Sequence, residues 1–449
     1  MRASTLLPIA LAGLALAAPV RAGPTGEEAG RLGGPLTEIG AERAGNADGS
    51  IPAYTGGLTT PPPSYRPGSG SRPDPFGGER PLFSIDGRNA DQHAGRLTEG
   101  TLALMRRYPE FRIDVYPTHR SVAFPRFVLE NTLRSAASAR TLDGGLSLAG
   151  VHAAYPFPIP RTGYEAMWNH LVRFTAVCDR RRIFAWYVEP SGRAILSSSA
   201  HLLEDYPFWD ERRTGSNDYF RLRIGYDGPP RRAGEALMLI DPVDPGPRGR
   251  RSWQYLPGQR RVRVAPDLAY DTPNLATSGA QTFDDALLFN GKMDRFDFAL
   301  LGKREIYVPY NAYRAMYEST AEQLLRPHFL SPDLVRWELH RVWVVEATLR
   351  PGKQHLYSRR VFYLDEDSWA ALLSDQYDSR GQLYRVGMAF MAPSYDLPAP
   401  WADPFLHYDL VSGAYAINGW PSASGWLRHT ACEPESEWSP DALAGAGVR

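Results

Sequence analysis

The sequence predicts an α+β fold dominated by one large antiparallel sheet. Three observations predict it. Beyond residue 183, apolar and polar residues alternate with period two in one short run after another. The chain carries 41 Gly, 39 Pro, 23 Tyr and 11 Trp, a mixture that suits curved, turn-rich sheet better than helical bundles. Helical spacing is confined to about residues 98–174.

Taken in order, the first 22 residues read as a signal peptide. Arg2 is followed by an apolar run from Leu6 to Ala18 and by Val20-Arg21-Ala22, a small-x-small site cut after Ala22. The run is shorter than the roughly 20 apolar residues of a membrane span. The mature chain is therefore expected in the periplasm, where ATP-driven and nicotinamide-driven chemistry is disfavoured. Residues 23–96 are rich in Gly, Pro, Ser and charge and hold no sustained period. They are expected to wrap the fold as extended segments and turns, anchored at Ile39, Ile51, Tyr54 and Phe76.

From 97 to 430 the main domain is expected, followed by a tail at 431–449. "GTLALMRRYPEF" predicts a short amphipathic helix stopped near Pro109. "RFVLENTLRSAASAR" places Leu129, Leu133, Ala136 and Ala137 on one helical face. "RTGYEAMWNHLVRF" does the same with Met167, Leu171 and Phe174, and Thr162 with Glu165 offers a capping box. Strands follow. "DYFRLRIGY" puts Phe220, Leu222 and Ile224 on one face against Arg221 and Arg223. "RSWQYLPGQRRVRVAP" is two strands around Pro257-Gly258, with Trp253 and Tyr255 sharing a face. "VRWELHRVWVVEATL" is the longest strand, with Val335, Trp337 and Leu339 alternating with Arg336, Glu338 and His340. "SRRVFYLDEDSW", "QLYRVGMAF" and "HYDLVSGAYAI" are further strands.

Lys+Arg and Asp+Glu balance at 50 each, so nothing points to nucleic acid. Cys178 and Cys432 are the only cysteines; a pair between them would tie the tail to the middle of the chain, although their separation in space cannot be read from sequence. No catalytic set stands out. HExxH and G-x-S-x-G motifs are absent, no zinc-helix histidine pair occurs, and neither a metal nor a cofactor is expected. Asp284-Asp285 and Asp365-Glu366-Asp367 read as turn carboxylates that face water.

"RSWQYLP" with "GQRRVRVAP" resembles a strand pair of outer-membrane lipoprotein-sorting proteins. "AERAGNADGSIPAYTGG", "FPRFVLENTLRSAASAR", "GVHAAYPFPIP", "TGYEAMWNH" and "FDDALLFNGKMDRFDFALLGKREIYVPYN" resemble a large family of exported bacterial proteins classed as a domain of unknown function, family 1329. The resemblance runs from about Leu36 to Trp420. It implies a Lol-carrier-like fold, an incomplete and strongly curved antiparallel barrel covered by helices around an apolar cavity. It also implies traffic of hydrophobic cargo beside exporters of the RND type, and it brings no catalytic residues.

The resulting expectation is a non-enzymatic periplasmic carrier of a lipid, a lipoprotein acyl chain or a sterol-like compound. Its partners would be that cargo, or a lipidated protein, and an inner-membrane RND-type exporter or an outer-membrane protein. Trp186, Trp253, Tyr255, Trp337, Trp343, Tyr363, Tyr384 and Met388 are the strand-borne residues expected to line the cavity, with Arg261 and Arg263 at its rim. Two other readings stand beside it. An exported hydrolase acting on envelope lipid or polysaccharide would need converging carboxylates or a Ser-His pair in an open cleft. A structural adaptor of an exporter would fill the barrel and expose an apolar patch.

Overall fold

A computed structural model describes residues 26–246, 249–266, 268–421 and 427–446. The expected signal peptide lies outside them. One sheet of 16 strands organises the chain. Its order is Phe83–Asp86, Arg112–Val115, Arg336–Leu349, Arg359–Asp365, Ala371–Tyr377, Leu383–Ala389, Phe405–Asp409, Tyr415–Trp420, Cys178–Val188, Ala194–Asp205, Asp218–Gly228, Ala236–Pro242, Arg251–Leu256 and Arg261–Val264. Phe296–Pro309 pairs along Arg336–Leu349, and Arg428–His429 pairs with Cys178–Val188. Pairing is antiparallel except where Arg336 and Trp337 run parallel to Asp114 and Val115. The sheet does not close into a barrel.

Arg261–Val264 closes one end of this order, whereas the next strand in sequence, Phe296–Pro309, pairs off the path with Arg336–Leu349, third from the other end. Residues 265–295 must therefore cross from one sheet end toward the other. They do so in short 3-10 turns, Leu275–Thr277, Phe283–Leu288 and Met293–Arg295.

Helices form at Glu99–Arg107, Arg126–Ser135 and Gly163–Leu171. The second buries Val128, Asn131 and Thr132, whereas Leu133 and Ala137 of the expected apolar face are exposed. Thr98 and Thr162 cap the first and third by accepting from Thr101 N and Glu165 N. Gly163–Leu171 packs on Phe296–Pro309 and Arg336–Leu349, and Glu99–Arg107 on Ala371–Tyr377 and Leu383–Ala389.

The polar face of the longest strand is not solvated. Arg336, Glu338 and His340 are as buried as Trp337 and Leu339. Glu338 accepts from Asn311 Nδ2 at 2.9 Å and is paired with Arg336 at 2.5 Å. The N-terminal wrap closes part of this surface through its own backbone. Arg341 Nη1 donates to Ala44 O at 2.9 Å, and Trp369 Nε1 donates to Ile39 O at 3.0 Å. Further along the wrap, Arg72 is clamped by Asp396, donating through Nε at 2.7 Å and Nη2 at 3.1 Å. A segment with little apolar area is ordered because buried guanidinium and indole donors need its carbonyls.

Asp365, Glu366 and Asp367 are buried, against the expectation of a solvated turn. Arg120 grips Asp367 through Nε at 2.8 Å and Nη2 at 2.6 Å, and Lys303 and Arg341 reach Glu366 at 2.8 and 3.2 Å. Three cations and two carboxylates from four distant segments meet here, which no local pattern encodes.

Candidate ligand cavity

The strands Cys178–Val188, Ala194–Asp205, Asp218–Gly228 and Ala236–Pro242 present a graded wall. Register sets three cross-strand rows on one face. The first is Asp179, Glu204, Leu222 and Leu239; the second is Arg181, Leu202, Ile224 and Leu237; the third is Ile183, Ala200 and Tyr226. The wall is polar at one corner and aliphatic elsewhere.

Against this wall lies a cavity of about 100 Å³. It is lined by aliphatic residues of those rows, by Phe220, Phe405 and Asn418 from the sheet, and by Ala276, Phe283, Ala286 and Leu287 from the 265–295 crossover. Strands from Phe405–Asp409 to Ala236–Pro242 are six neighbours in the order. Laid flat they would span roughly 24 Å at about 4.8 Å per step, so a hollow this small can touch all of them only if the sheet curls round it.

The crossover is the roof, and a buried ionic lock fastens it. Asp284 and Asp285, expected in water, are almost fully buried. Arg360, itself fully buried, donates to Asp284 Oδ2 at 3.0 Å, Asp285 Oδ1 at 3.1 Å and Leu288 O at 2.9 Å. His355 Nε2 meets Asp284 Oδ2 at 2.9 Å, and Tyr357 OH donates to Asp285 Oδ2 at 2.8 Å. The surrounding cations and donors hold both carboxyls below the usual range against the opposing effect of burial. Thr282 completes a capping box with Asp285. Beside the lock, Leu287 and Leu288 have φ of +56° and +67°, a left-handed conformation that costs an L-residue about 1–2 kcal/mol. The lock holds a strained turn against the cavity.

At the polar corner Arg181 Nη2 donates to Glu204 Oε1 at 2.7 Å, and its Nη1 lies 2.5 Å from Asp403 Oδ2. Burial and neighbouring acids push Asp179 well up, and burial raises Glu204.

None of the eight expected lining residues borders this cavity. Trp253 and Tyr255 are on the opposite sheet face. Their strand neighbour Met238 packs with Tyr255, Trp438 and Leu443, under the C-terminal helix Pro440–Ala446. Cys178 and Cys432 form the disulfide that anchors this tail beside the sheet. Trp337, Tyr363 and Met388 are interior to the larger core, and Trp186 packs on it. Trp343 stacks on Trp369 at 6.0 Å with Lys303 above its ring, and Tyr384 lies under Arg385. Arg261 and Arg263 sit on an exposed hairpin, where Arg263 bonds Gln254. The apolar part of the lining is instead mainly aliphatic, with Phe220, Phe283 and Phe405 beside it. Its one visible signal was the alternation of Phe220, Leu222 and Ile224; the continuous run Ala236–Pro242 shows no period.

Among the described residues, His340, Asp365 and Asp367 place ligand atoms within 4.8 Å of one another. Asp367 is taken by Arg120, and His340 Nε2 faces Glu338 Oε2 at 3.2 Å, so the trio reads as part of an ion-pair knot. No helix among the described residues is long and apolar enough to cross a membrane.

Comparison with known proteins gives a family match, described as "Protein of unknown function (DUF1329)", over residues 84–444. An uncharacterized protein of Pseudomonas aeruginosa is 39% identical over 448 residues, covering 97% of this chain and 96% of its own. Among solved structures, a domain assigned to the outer membrane lipoprotein-sorting proteins of Vibrio parahaemolyticus is 15% identical, covers 63% of this chain and 98% of its own, and has a TM-score of 0.44. A DUF1329 family protein from Desulfovibrio piger is 15% identical, covers 62% and 95%, and has a TM-score of 0.41. At those values neither structure bears on ligand or activity.

Proposed function

This chain belongs to the DUF1329 family of proteins of unknown function, and from that premise we propose that it is a carrier that holds a hydrophobic envelope molecule beneath the 265–295 crossover. The observation that carries this reading is the cavity wall, an aliphatic surface on a curled open sheet, roofed by turns rather than by another strand. A volume of about 100 Å³ is room for three or four water-sized groups. A long acyl chain therefore enters only as the roof yields, exchanging Ala276, Phe283 and Leu287 for its own methylenes. Each methylene buried contributes about 0.8 kcal/mol, so a chain of modest length offsets the loss of several roof contacts.

The reading places the chain in the periplasm, taking a lipid, a lipoprotein acyl chain or a sterol-like compound to or from an RND-type exporter or an outer-membrane protein. Delipidated protein should take up an environment-sensitive fluorescent acyl probe saturably and release it to unlabelled competitor. Ile224→Phe, which fills the hollow, should abolish uptake while leaving circular dichroism unchanged. Absence of saturable uptake by the native chain refutes the carrier.

A further inference from the structure

The polar corner of the cavity has an unusual balance of groups. Glu204, Asp403 and Arg181 line it, and Asp179 and Arg173 back it, all buried. Arg181 donates Nη2 to Glu204 Oε1 at 2.7 Å, and its Nη1 lies 2.5 Å from Asp403 Oδ2 as an ion pair without hydrogen-bond geometry. Arg173 donates Nη1 to His170 O at 2.9 Å and comes no nearer to Asp403 Oδ1 than 3.6 Å. Glu204 Oε2 accepts from Tyr206 OH at 3.0 Å. Among the described residues Asp403 accepts no hydrogen bond at either oxygen, nor does Asp179, while Arg181 Nε and Nη1 donate none.

Three carboxyls thus face two guanidiniums, with carboxylate oxygens in excess and two Arg181 nitrogens, Nε and Nη1, left without a hydrogen bond. Among the described residues no free cation remains in this corner for a further anion to meet. Arg250, the other cation on the lining, is fully engaged by Asp241 at 2.7 Å through Nε and Nη2. A hydroxyl suits the corner in both senses: its hydrogen satisfies a carboxylate and its oxygen can accept from Arg181.

Resting on the carrier reading above, we propose that the guest is a neutral hydroxyl-headed amphiphile, an aliphatic or alicyclic alcohol, whose hydroxyl is buried at the Arg181–Glu204–Asp403 corner. The apolar body runs from there along Leu222, Ile224 and Leu237. Free fatty acids are discriminated against, because their ionised head would bring an uncompensated negative charge into a desolvated corner already crowded with carboxyls. The raised Asp179 and Glu204 carboxyls agree, since a shared proton brings the corner to neutrality with no positive surplus.

The test is displacement of the fluorescent acyl probe from the full mature chain by 1-dodecanol and by laurate, at a mildly alkaline pH where laurate is ionised. Dodecanol should displace at a concentration at least about tenfold lower than laurate. Asp403→Asn, which removes one negative charge and keeps the shape, should shrink that ratio toward one by improving laurate. Glu204→Gln should do the same, and serves where Asp403→Asn fails to fold. Equal or better displacement by laurate from the native protein overturns the alcohol assignment and leaves the carrier standing. A ratio unchanged in both folded variants overturns the assigned corner. Failure of the native chain to take up the probe overturns the carrier and the assignment together.

Discussion

Replacing Arg360 by methionine should unfasten the roof without dismantling the sheet. The guanidinium is fully buried and makes three hydrogen bonds, two to the carboxylates of Asp284 and Asp285 and one to Leu288 O. Phe289, Tyr357 and Phe362 surround it at 5.1–5.3 Å, so the thioether inherits an apolar, closely sized site. Removing one partner of a buried pair costs about 3–5 kcal/mol, because the other charge is left uncompensated. His355 at 2.9 Å from Asp284 and Arg385 at 3.6 Å from Asp285 retain part of the compensation, which puts the expectation near the lower figure, about 3 kcal/mol. At about 1.4 kcal/mol per power of ten, the roof should open roughly a hundredfold more often. Hydrogen exchange reads this directly. The amides of Asp284 and Asn290, bonded to Tyr270 O and Asp284 O, should lose about two decades of protection. Those of Phe405–Asp409 and Tyr415–Trp420 should be unchanged. Adding Asp284→Asn and Asp285→Asn should restore part of the loss, since no uncompensated charge is then buried. Unchanged roof protection, or a loss spread evenly over the sheet, would refute the lock.

Three further outcomes follow from the same geometry. Asp375, buried and bonded by Tyr363 OH at 3.1 Å and Gly100 N at 3.0 Å, is pushed up to about 7, mainly by desolvation. The folded state therefore holds its proton more tightly than the unfolded chain, so this residue lowers stability as pH rises from about 4 to about 7; Asp375→Asn should flatten that part of a denaturant-midpoint profile, and an unaltered slope would count against it. Tyr255→Ala should weaken docking of the C-terminal helix, seen as faster proteolysis after residue 430, and leave probe uptake intact; lost uptake would return Tyr255 to the ligand site. Cys178→Ala with Cys432→Ala opens a link 254 residues apart, worth up to about 5 kcal/mol by loop closure, and should lower the unfolding midpoint while Trp438 fluorescence shifts red; no change in either would show that the tail docks without the bridge.

Local order was legible where one face decides it. The helices at Glu99–Arg107 and Gly163–Leu171 follow their 3.6-residue spacing, Arg126–Ser135 forms but turns a different face inward, and strands form around Trp253, Trp337 and Tyr384 where alternation places them. Cavity position was not legible. Aromatic strand residues such as Trp337 and Met388's neighbours are large enough to be useful core, and the sheet's interior absorbed them. Tyr255 alternates as well as Ile224 does, but period two says only that two residues share a face, never which face looks inward. Asp284 and Asp285 misled for a related reason: adjacent acids on a turn look solvated until Arg360, some 75 positions on, is brought against them.

The residue pattern alone marked the three longer helices and several strands, because hydrophobic period, capping and proline act over a few neighbours. It did not mark Cys178–Val188, Ala194–Asp205 or Phe296–Pro309, and it read as one strand the stretch that forms the hairpin of Phe405–Asp409 and Tyr415–Trp420. It also carried family membership, through long segments shared with relatives. The order of strands, and with it the passage of residues 265–295 across the open sheet, was decided by tertiary structure. Those choices depend on buried charges finding partners 76 residues away, as Arg360 finds Asp284, or 247 away, as Arg120 finds Asp367, and the free energy of such a pair exists only once both are out of water.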